Sequence, residues 1–163
     1  MSERIESMIR KYPEMKRERD CLRHQIDDFY GVTAEDVIMS MNGSHPEGEH
    51  VQTSGASDKT AMIGMNYREK MERINEEWYE HLVNRYMKLD EEIRFFESAL
   101  KSLNGVLADM MWDLIINEET WDFLGVEYNV CRSTIANYRR KAIRELDKLY
   151  EKNEKDRLQF MLS

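Results

Sequence analysis

Apolar side chains recur at steps of three and four residues from the start of the chain to Phe29. This spacing places them on one face of a helix and predicts a seam of the coiled-coil type. Pro13 lies inside the segment, and because proline lacks a backbone donor it predicts either a kink or a second helix that begins near it. The seam consists of Ile5, Met8, Tyr12, Met15, Leu22, Ile26 and Phe29, with Arg19 in the remaining slot.

The chain between this seam and residue 58 changes from a helical to an irregular pattern. Gly31 ends the first run, and "TAEDVIMSM" starts another helix because Thr33 can cap it and Asp36 can bond back to the cap. Residues 1–41 are therefore predicted to form an N-terminal helical segment. Residues 42–58 are rich in glycine and show no apolar period, which indicates a loop or linker.

Residues 59–103 show the longest uninterrupted period in the sequence. Proline is absent there, Gly64 is the only glycine, and apolar or aromatic residues again recur at steps of three and four. An amphipathic helix of this length would reach on the order of 65 Å and would need another helix along its stripe. That partner is either the N-terminal helix folding back or a second chain. The stripe comprises Tyr67, Met71, Ile74, Trp78, Leu82, Tyr86, Leu89, Ile93, Phe96, Leu100 and Leu103.

The pattern changes after residues 104–105, where Asn-Gly indicates a break and three further helices are predicted. The first includes residues 107–115, and the second follows a polar break and includes residues 121–128. The third has an apolar face that begins at Ile135. Residues 104–155 are therefore predicted to form a C-terminal trihelical domain, and the whole chain is predicted to be all-α.

Two short helices that cross steeply need a small residue at their closest approach and a turn that permits a positive φ. Gly125 meets the first need, and Asn129 meets the second because asparagine tolerates the left-handed conformation. An apolar residue of the third helix must fill the space between them, and Ile135 has that position. Together these features predict a helix-turn-helix. Its predicted core consists of Trp121, Leu124, Gly125, Tyr128, Asn129, Val130, Ile135 and Tyr138.

Charge is distributed unevenly along a chain that is acidic as a whole. The formal net charge is −8, yet residues 131–144 contain five basic residues and no acidic one.

Apolar runs stay far shorter than a membrane span, and the first residues lack the apolar core of a secretory signal. The two cysteines, Cys21 and Cys131, are far apart in the sequence. We therefore expect a cytoplasmic protein with reduced thiols.

The segment "ETWDFLGVEYNVCRSTIANYRRKAIREL" resembles the helix-turn-helix of sigma factor region four, above all in the small phage and prophage regulators of the ArpU and RinA type. The resemblance is strong from Glu119 to Leu149, and it extends loosely over "SHPEGEHVQTSGASDKTAMIGMNYREKMERINEEWY", which is similar to the linker and long helix of such proteins. Two positions depart from the pattern. Glu118 replaces a turn glycine, and Cys131 replaces the serine that usually caps the third helix.

The resemblance implies double-stranded DNA as the partner and transcriptional regulation, including activation of late genes, as the function. The third helix would lie in the major groove with its first turn at the base edges. Arg132, Ser133 and Asn137 are predicted to face bases, because arginine pairs with guanine and asparagine with adenine. Cations further along suit phosphates, which position the protein without specifying sequence. The predicted DNA-binding set is Arg132, Ser133, Thr134, Asn137, Arg139, Arg140, Lys141 and Arg144.

Two other functions fit the same sequence features. A DNA-packaging subunit resembling a small terminase would also join a helix-turn-helix to an oligomerising helical region. An interaction module would use the same fold to bind RNA polymerase. A ring of many subunits would favour packaging, whereas a monomer or a homodimer formed through the long helix would favour regulation.

Catalysis and cofactor binding have no positive support in the sequence. "HPEGEH" contains His45, Glu47, Glu49 and His50, but their spacing matches no standard metal site. The chain offers neither a nucleophile with a base and an orienting group nor a glycine-rich phosphate loop. We therefore expect a protein that is not an enzyme and that has no cofactor, no metal ion and no membrane partner.

Overall fold

A computed structural model describes residues 3–31, 33 and 56–163 of the protein. These residues form five α-helices and no strand. The all-α prediction is therefore confirmed for this part of the chain. The helices are α1 (Glu3–Asp27), α2 (Ala56–Lys101), α3 (Gly105–Ile115), α4 (Trp121–Glu127) and α5 (Arg132–Leu162).

Three departures from the predicted helices are larger than a shift of two residues at a helix end. α1 runs through Pro13 as one helix, so the alternative of a second helix beginning there is wrong. α2 begins at Ala56, which makes the last three residues of the predicted linker helical. α5 continues to Leu162, beyond the predicted domain end at residue 155, because the sequence after Cys131 contains neither glycine nor proline. The predicted helix after Thr33, the rest of the linker and "HPEGEH" lie outside the described residues.

α1 stays continuous through its proline because its seam is buried on both sides of it. Met8 and Tyr12 precede Pro13 and Met15 follows it, and all three side chains are buried. An internal proline removes one helical hydrogen bond, and helices in proteins are held mainly by the packing of their apolar face. That packing therefore outweighs the single lost bond.

The chain divides into two compact units. One contains α1 as far as Arg19 together with Lys88–Ser163, and the other contains Asp20–Met87. Each unit takes part of α1 and part of α2. The boundaries of the two units lie within the predicted N-terminal segment and the predicted long helix, not between the predicted segments.

The core of the first unit joins the beginning of α1 to the end of α2 and to α3 and α5. The Tyr12 and Phe96 rings are buried with their centroids 5.4 Å apart, and Arg19 pairs with Asp90 at 3.1 Å. The N-terminal helix therefore folds back on the long helix within this unit. The core residues are Ile5, Met8, Tyr12, Met15, Ile93, Phe96, Ala99, Leu100, Leu103, Leu107, Met111, Ile115, Ala142, Ile143 and Leu146.

The described part of the second unit combines two buried leucines with a pair of aromatic rings. Leu22 and Leu82 are buried, and the Phe29 ring meets the Tyr79 ring edge-on with centroids 5.1 Å apart. Trp78, which the sequence places on the apolar stripe of the long helix, is 46% exposed. Consecutive steps of four on either side of Trp78 rotate the stripe around the helix, so one face cannot bury every member.

Candidate nucleic-acid interface

Helices α3, α4 and α5 meet around a small cluster of buried side chains. Met110, Leu124 and Ile135 form it, one from each helix, and each is at most 1% exposed. Five partly buried side chains close the cluster, namely Leu114, Trp121, Tyr128, Val130 and Tyr138. All the apolar members of the predicted motif core therefore pack at one point.

The turn between α4 and α5 contains the two backbone positions that the sequence singles out. Asn129 has a φ of 51°, in the left-handed region that asparagine tolerates. A Cβ built on Gly125 would lie 3.1 Å from the carbonyl oxygen of Val130. The Val130 amide also donates to the Gly125 carbonyl oxygen at 3.1 Å. Glycine is therefore suited to position 125, because the backbone leaving α4 passes directly over it.

The turn between α3 and α4 contains Glu118, which the sequence marks as a departure from the resembled family, and Thr120, which the sequence predictions do not include. Glu118 has a φ of 53° at the position where the resembled family has glycine. Thr120 is the N-cap of α4, and its hydroxyl accepts a hydrogen bond from the Phe123 amide at 3.2 Å. A signal for this cap was present, since threonine is a preferred N-cap and directly precedes the apolar helix.

The hydroxyl of the partly buried Tyr128 ties α3 to the end of α4. Tyr128 donates to the Asp113 carboxylate at 2.6 Å. Burial, together with this hydrogen bond and the charge of Asp113, raises the pKa of Tyr128 well above its usual value. The hydroxyl therefore stays protonated and keeps donating throughout the physiological pH range.

Cys131 is the N-cap residue of α5, with an extended φ and ψ of −85° and 164°. Among the described residues its side chain finds no backbone amide to cap, so the cap is weak where the resembled family has serine. The sulfur instead lies 2.9 Å from the Ser133 hydroxyl and 3.2 Å from the Thr134 hydroxyl. Hydrogen bonds from Ser133 and then Thr134 lower the pKa of the Cys131 thiol from 9.0 to about 6. The thiolate is thus a large fraction at neutral pH.

The side of α5 that faces away from the core is polar and cationic. Ser133 and Asn137 are exposed one turn apart, and Arg140, Lys141 and Arg144 continue the same side over the next two turns. In the part of the chain that the structure describes, these three cations form no ion pair. Their charges therefore remain available to an external anion.

Lys148 extends this cationic side and was missed by the sequence reasoning. It is exposed and lies four residues after Arg144, which places the two side chains one above the other on the helix. The spacing was visible in the sequence. Glu145 and Asp147 nearby break the acid-free run, and they are partly buried rather than exposed beside Lys148.

Two of the predicted DNA-contacting arginines are held by carboxylates from other helices. Arg139 donates from both terminal nitrogens of its guanidinium to Glu6 at 2.8 and 2.7 Å. Arg132 donates to Asp122 of α4 at 2.7 Å. Because seven residues separate the two arginines, both lie on the same side of α5, and this side differs from the one that carries Arg140.

The Arg139 pair departs from the prediction that this residue contacts phosphate. Its side chain is 26% exposed and that of Glu6 is 27% exposed, so the pair is largely covered by α1 and α5. The hydrogen bond from Arg139, aided by its charge, lowers the pKa of Glu6 below the usual 4.5. Arg139 therefore joins α1 to α5. Its partner is 133 residues away, and no local pattern could have found it.

Other kinds of site find no support in the described residues. They contain no group of three or more histidine, cysteine, aspartate or glutamate side chains placed to hold a metal ion. No described helix combines the length and the apolar character that crossing a membrane requires. The candidate functional surface is the cationic side of α5, because its exposed basic side chains form no ion pair among the described residues.

Comparison of the chain with protein-family models, with curated proteins and with solved structures finds no match in any of the three. The resemblance to sigma region four and to the ArpU and RinA regulators therefore stays a hypothesis based on the residues from Glu119 to Leu149. The function has to be inferred from the geometry of α3, α4 and α5.

Proposed function

We propose that the protein binds double-stranded DNA sequence-specifically through a helix-turn-helix formed by α3, α4 and α5, and that it acts as a transcriptional regulator. The observation behind the proposal is the division of α5 into two sides. One side packs on α3 and α4, and the other presents an exposed, acid-free row of polar and basic side chains. That row consists of Ser133, Asn137, Arg140, Lys141 and Arg144.

The row, together with Arg132 beside it at the start of α5, has the chemistry that a duplex requires in two successive zones. The first turn of α5 would approach base edges in the major groove, where Asn137 can pair with adenine and Arg132 with guanine. Arg140, Lys141 and Arg144 would neutralise phosphates and release counterions, which gives affinity without sequence preference. Elsewhere the net negative charge of the chain would repel the duplex and confine binding to this surface.

The packing supports the proposal by giving α5 a fixed direction. Ile135 is buried against Leu124, and the left-handed Asn129 sets the angle at which the chain leaves α4. Base readout depends on side chains held within a fraction of an ångström, and rigid helices provide this better than loops do. The first turn of α5 is therefore presented on a preorganised support.

The test is selection of duplexes from a random-sequence library by the purified full chain, followed by affinity measurements over a series of salt concentrations. We expect one sequence motif to be enriched, and log K to fall with log salt by about 0.9 per phosphate neutralised. Failure to enrich any motif, together with an affinity independent of salt, would overturn the proposal.

Single substitutions separate the two zones of the surface. Arg140→Ala should weaken binding to all sequences alike, whereas Arg132→Ala should also relax the preference at one base pair. Arg17→Ala removes the same charge from an exposed position on α1 and should change neither property. Equal behaviour of the Arg132 and Arg140 variants in the selection would remove the assignment of separate roles.

A further inference from the structure

The Arg132–Asp122 ion pair has no evident task in folding. The side chains are 72% and 79% exposed, and ion pairs at such exposure contribute little to stability. Thr120, not Asp122, caps α4, although the charge of Asp122 in the first turn suits the helix dipole. The pair nevertheless brings a carboxylate from one helix to within 2.7 Å of the first side chain of the next. Its position at the start of α5 points to a role when the surface is occupied.

Building on the proposed function, we infer that Asp122 is a positioning residue for base readout by Arg132, and that it lowers the affinity for duplexes that offer Arg132 no guanine. Asp122 belongs to α4 and Arg132 to α5, so the carboxylate holds the guanidinium from outside its own helix. The inference therefore adds Asp122, an acidic residue outside the row, as a residue that determines specificity.

The geometry leaves Arg132 able to contact a base while it is held. Asp122 accepts one hydrogen bond from the Nη2 atom of Arg132. A guanidinium has five N–H donors in a fixed plane, and the two-donor contact with guanine O6 and N7 uses only two of them. A side chain that is oriented before DNA arrives loses less conformational freedom on binding. Asp122 therefore favours the arrangement in which Arg132 meets guanine.

For duplexes that offer Arg132 no guanine, the charge of Asp122 lowers the affinity. When Arg132 pairs with guanine, the positive guanidinium stays between the carboxylate and the base. When no guanine is present, the exposed carboxylate comes close to base acceptors and phosphates with no new hydrogen bond to offset the repulsion. Specificity built this way uses a repulsive group against the wrong partner as well as an attractive group for the right one.

The experiment measures affinity for the selected duplex and for the same duplex with its guanine replaced, and the ratio of the two is the specificity. Asp122→Asn should reduce this ratio about tenfold, which is within the discrimination that one bidentate base contact provides, partly by raising the affinity for the replaced duplex. Asp122→Glu keeps the carboxylate and should restore most of the ratio. Glu127→Gln is the matched control, because Glu127 is exposed on the same helix and, among described residues, pairs with no cation. It should raise both affinities alike and leave the ratio unchanged.

A double-mutant cycle shows whether Asp122 acts through Arg132. In the Arg132→Ala background, Asp122→Asn should no longer change the ratio. The inference is overturned if Asp122→Asn lowers the ratio no more than Glu127→Gln does, or if it lowers the ratio equally without Arg132. The proposed function fails separately, and the inference with it, if the wild-type protein shows no preference and no salt dependence on any duplex. Thermal unfolding of each variant checks that the fold is retained.

Discussion

Two segments of this acidic protein are basic, and the structure uses them differently. Residues 10–23 contain six basic and three acidic residues, whereas residues 131–144 contain five basic and no acidic residue. In the first segment, Arg19 pairs with Asp90 of α2, and the ammonium of Lys16 lies 5.7 Å from the centre of the Tyr12 ring. Arg19 and Lys16 help α1 to pack, whereas the other four cations of this segment are exposed. A high count of basic residues therefore does not by itself identify a binding surface.

The second segment repeats the contrast within one helix. Arg139 is held by Glu6 and faces α1, so its role resembles that of Arg19 in the first segment. Arg140, the next residue, is exposed, and within the described part of the chain its Nε donates to the carbonyl oxygen of Ala136 on the previous turn at 3.3 Å. Neighbouring arginines thus differ in role because they leave the helix in different directions. Direction and pairing, rather than charge density, distinguish a structural cation from one available to DNA.

The largest effect is expected from removing the unpaired cations together. The triple variant Arg140→Gln, Lys141→Gln, Arg144→Gln should weaken duplex binding on the order of 10²-fold at about 0.1 M salt. Its plot of log K against log salt should be flatter by about 2.7, because each phosphate contact contributes about 0.9 to the slope. Fluorescence anisotropy of a labelled duplex over a salt series measures both quantities.

The control removes equal charge from the other basic segment. Arg10, Lys11 and Arg17 are exposed on α1, and their joint replacement by glutamine should leave the salt slope unchanged. If this variant loses as much affinity as the α5 variant does, binding follows overall charge and the contrast between the two segments has no functional meaning.

The next effect concerns stability and tests the paired arginine. Glu6→Gln should lower the free energy of unfolding by about 1.5–3 kcal/mol, because it removes charge-assisted hydrogen bonds and leaves the largely buried guanidinium of Arg139 without its partner. Urea denaturation measures the change. Glu3→Gln alters an exposed carboxylate in the same first turn and should change stability by no more than about 0.5 kcal/mol.

The contribution of Glu6 should also depend on pH in one direction. The pKa of Glu6 is lowered in the folded state, so the unfolded chain binds more protons there as the pH falls. The stabilisation is then fully present above the unfolded value of 4.5 and is lost as the pH falls through the folded pKa. The difference in stability between wild type and Glu6→Gln should shrink below that pH. A difference that stays constant down to about pH 3 would contradict the assignment.

Features set by neighbouring residues were accessible from the sequence. The left-handed turn at Asn129, the close approach at Gly125 and the burial of Ile135 all follow from spacing within about ten residues. The buried seam of α1 is accessible for the same reason, since a helical period fixes which side chains share a face. The Thr120 cap was equally local, and it was missed although its signal was present.

Features that depend on docking between distant segments could not be found this way. The pairing of Glu6 with Arg139 requires knowing that α1 returns to α5, and the sequence left open whether α1 or a second chain covers the long helix. The roles of Arg139 and Arg140 therefore look alike in the sequence and differ in the structure. The same limitation applies to Trp78, whose exposure depends on what covers each face of α2.

A smaller effect is expected at the two turns that frame α4. Asn129→Ala should lower the free energy of unfolding by about 1 kcal/mol, because alanine is disfavoured at a φ of 51°. Glu118→Gly should raise it by about 1 kcal/mol, since glycine adopts a φ of 53° without a steric penalty. Thermal unfolding of the two variants measures both changes. Changes of the same sign would show that the two turns do not have these conformations in solution.

The smallest effect is expected on the alkylation of the two cysteines, one of which lies in each basic segment. Cys21 and Cys131 are both exposed, one in residues 10–23 and the other in residues 131–144. Alkylation of Cys131 should follow a titration near pH 6, because hydroxyl hydrogen bonds lower its pKa to about 6, and Ser133→Ala should move the midpoint upward.

Addition of the selected duplex should slow alkylation of Cys131, which would lie at the groove, and leave Cys21 unaffected. Mass spectrometry gives both rates in one sample, so Cys21 serves as the internal control. Protection of both thiols to the same degree would mean that DNA covers the two segments alike, and that the pairing of cations within the fold does not decide where the duplex binds.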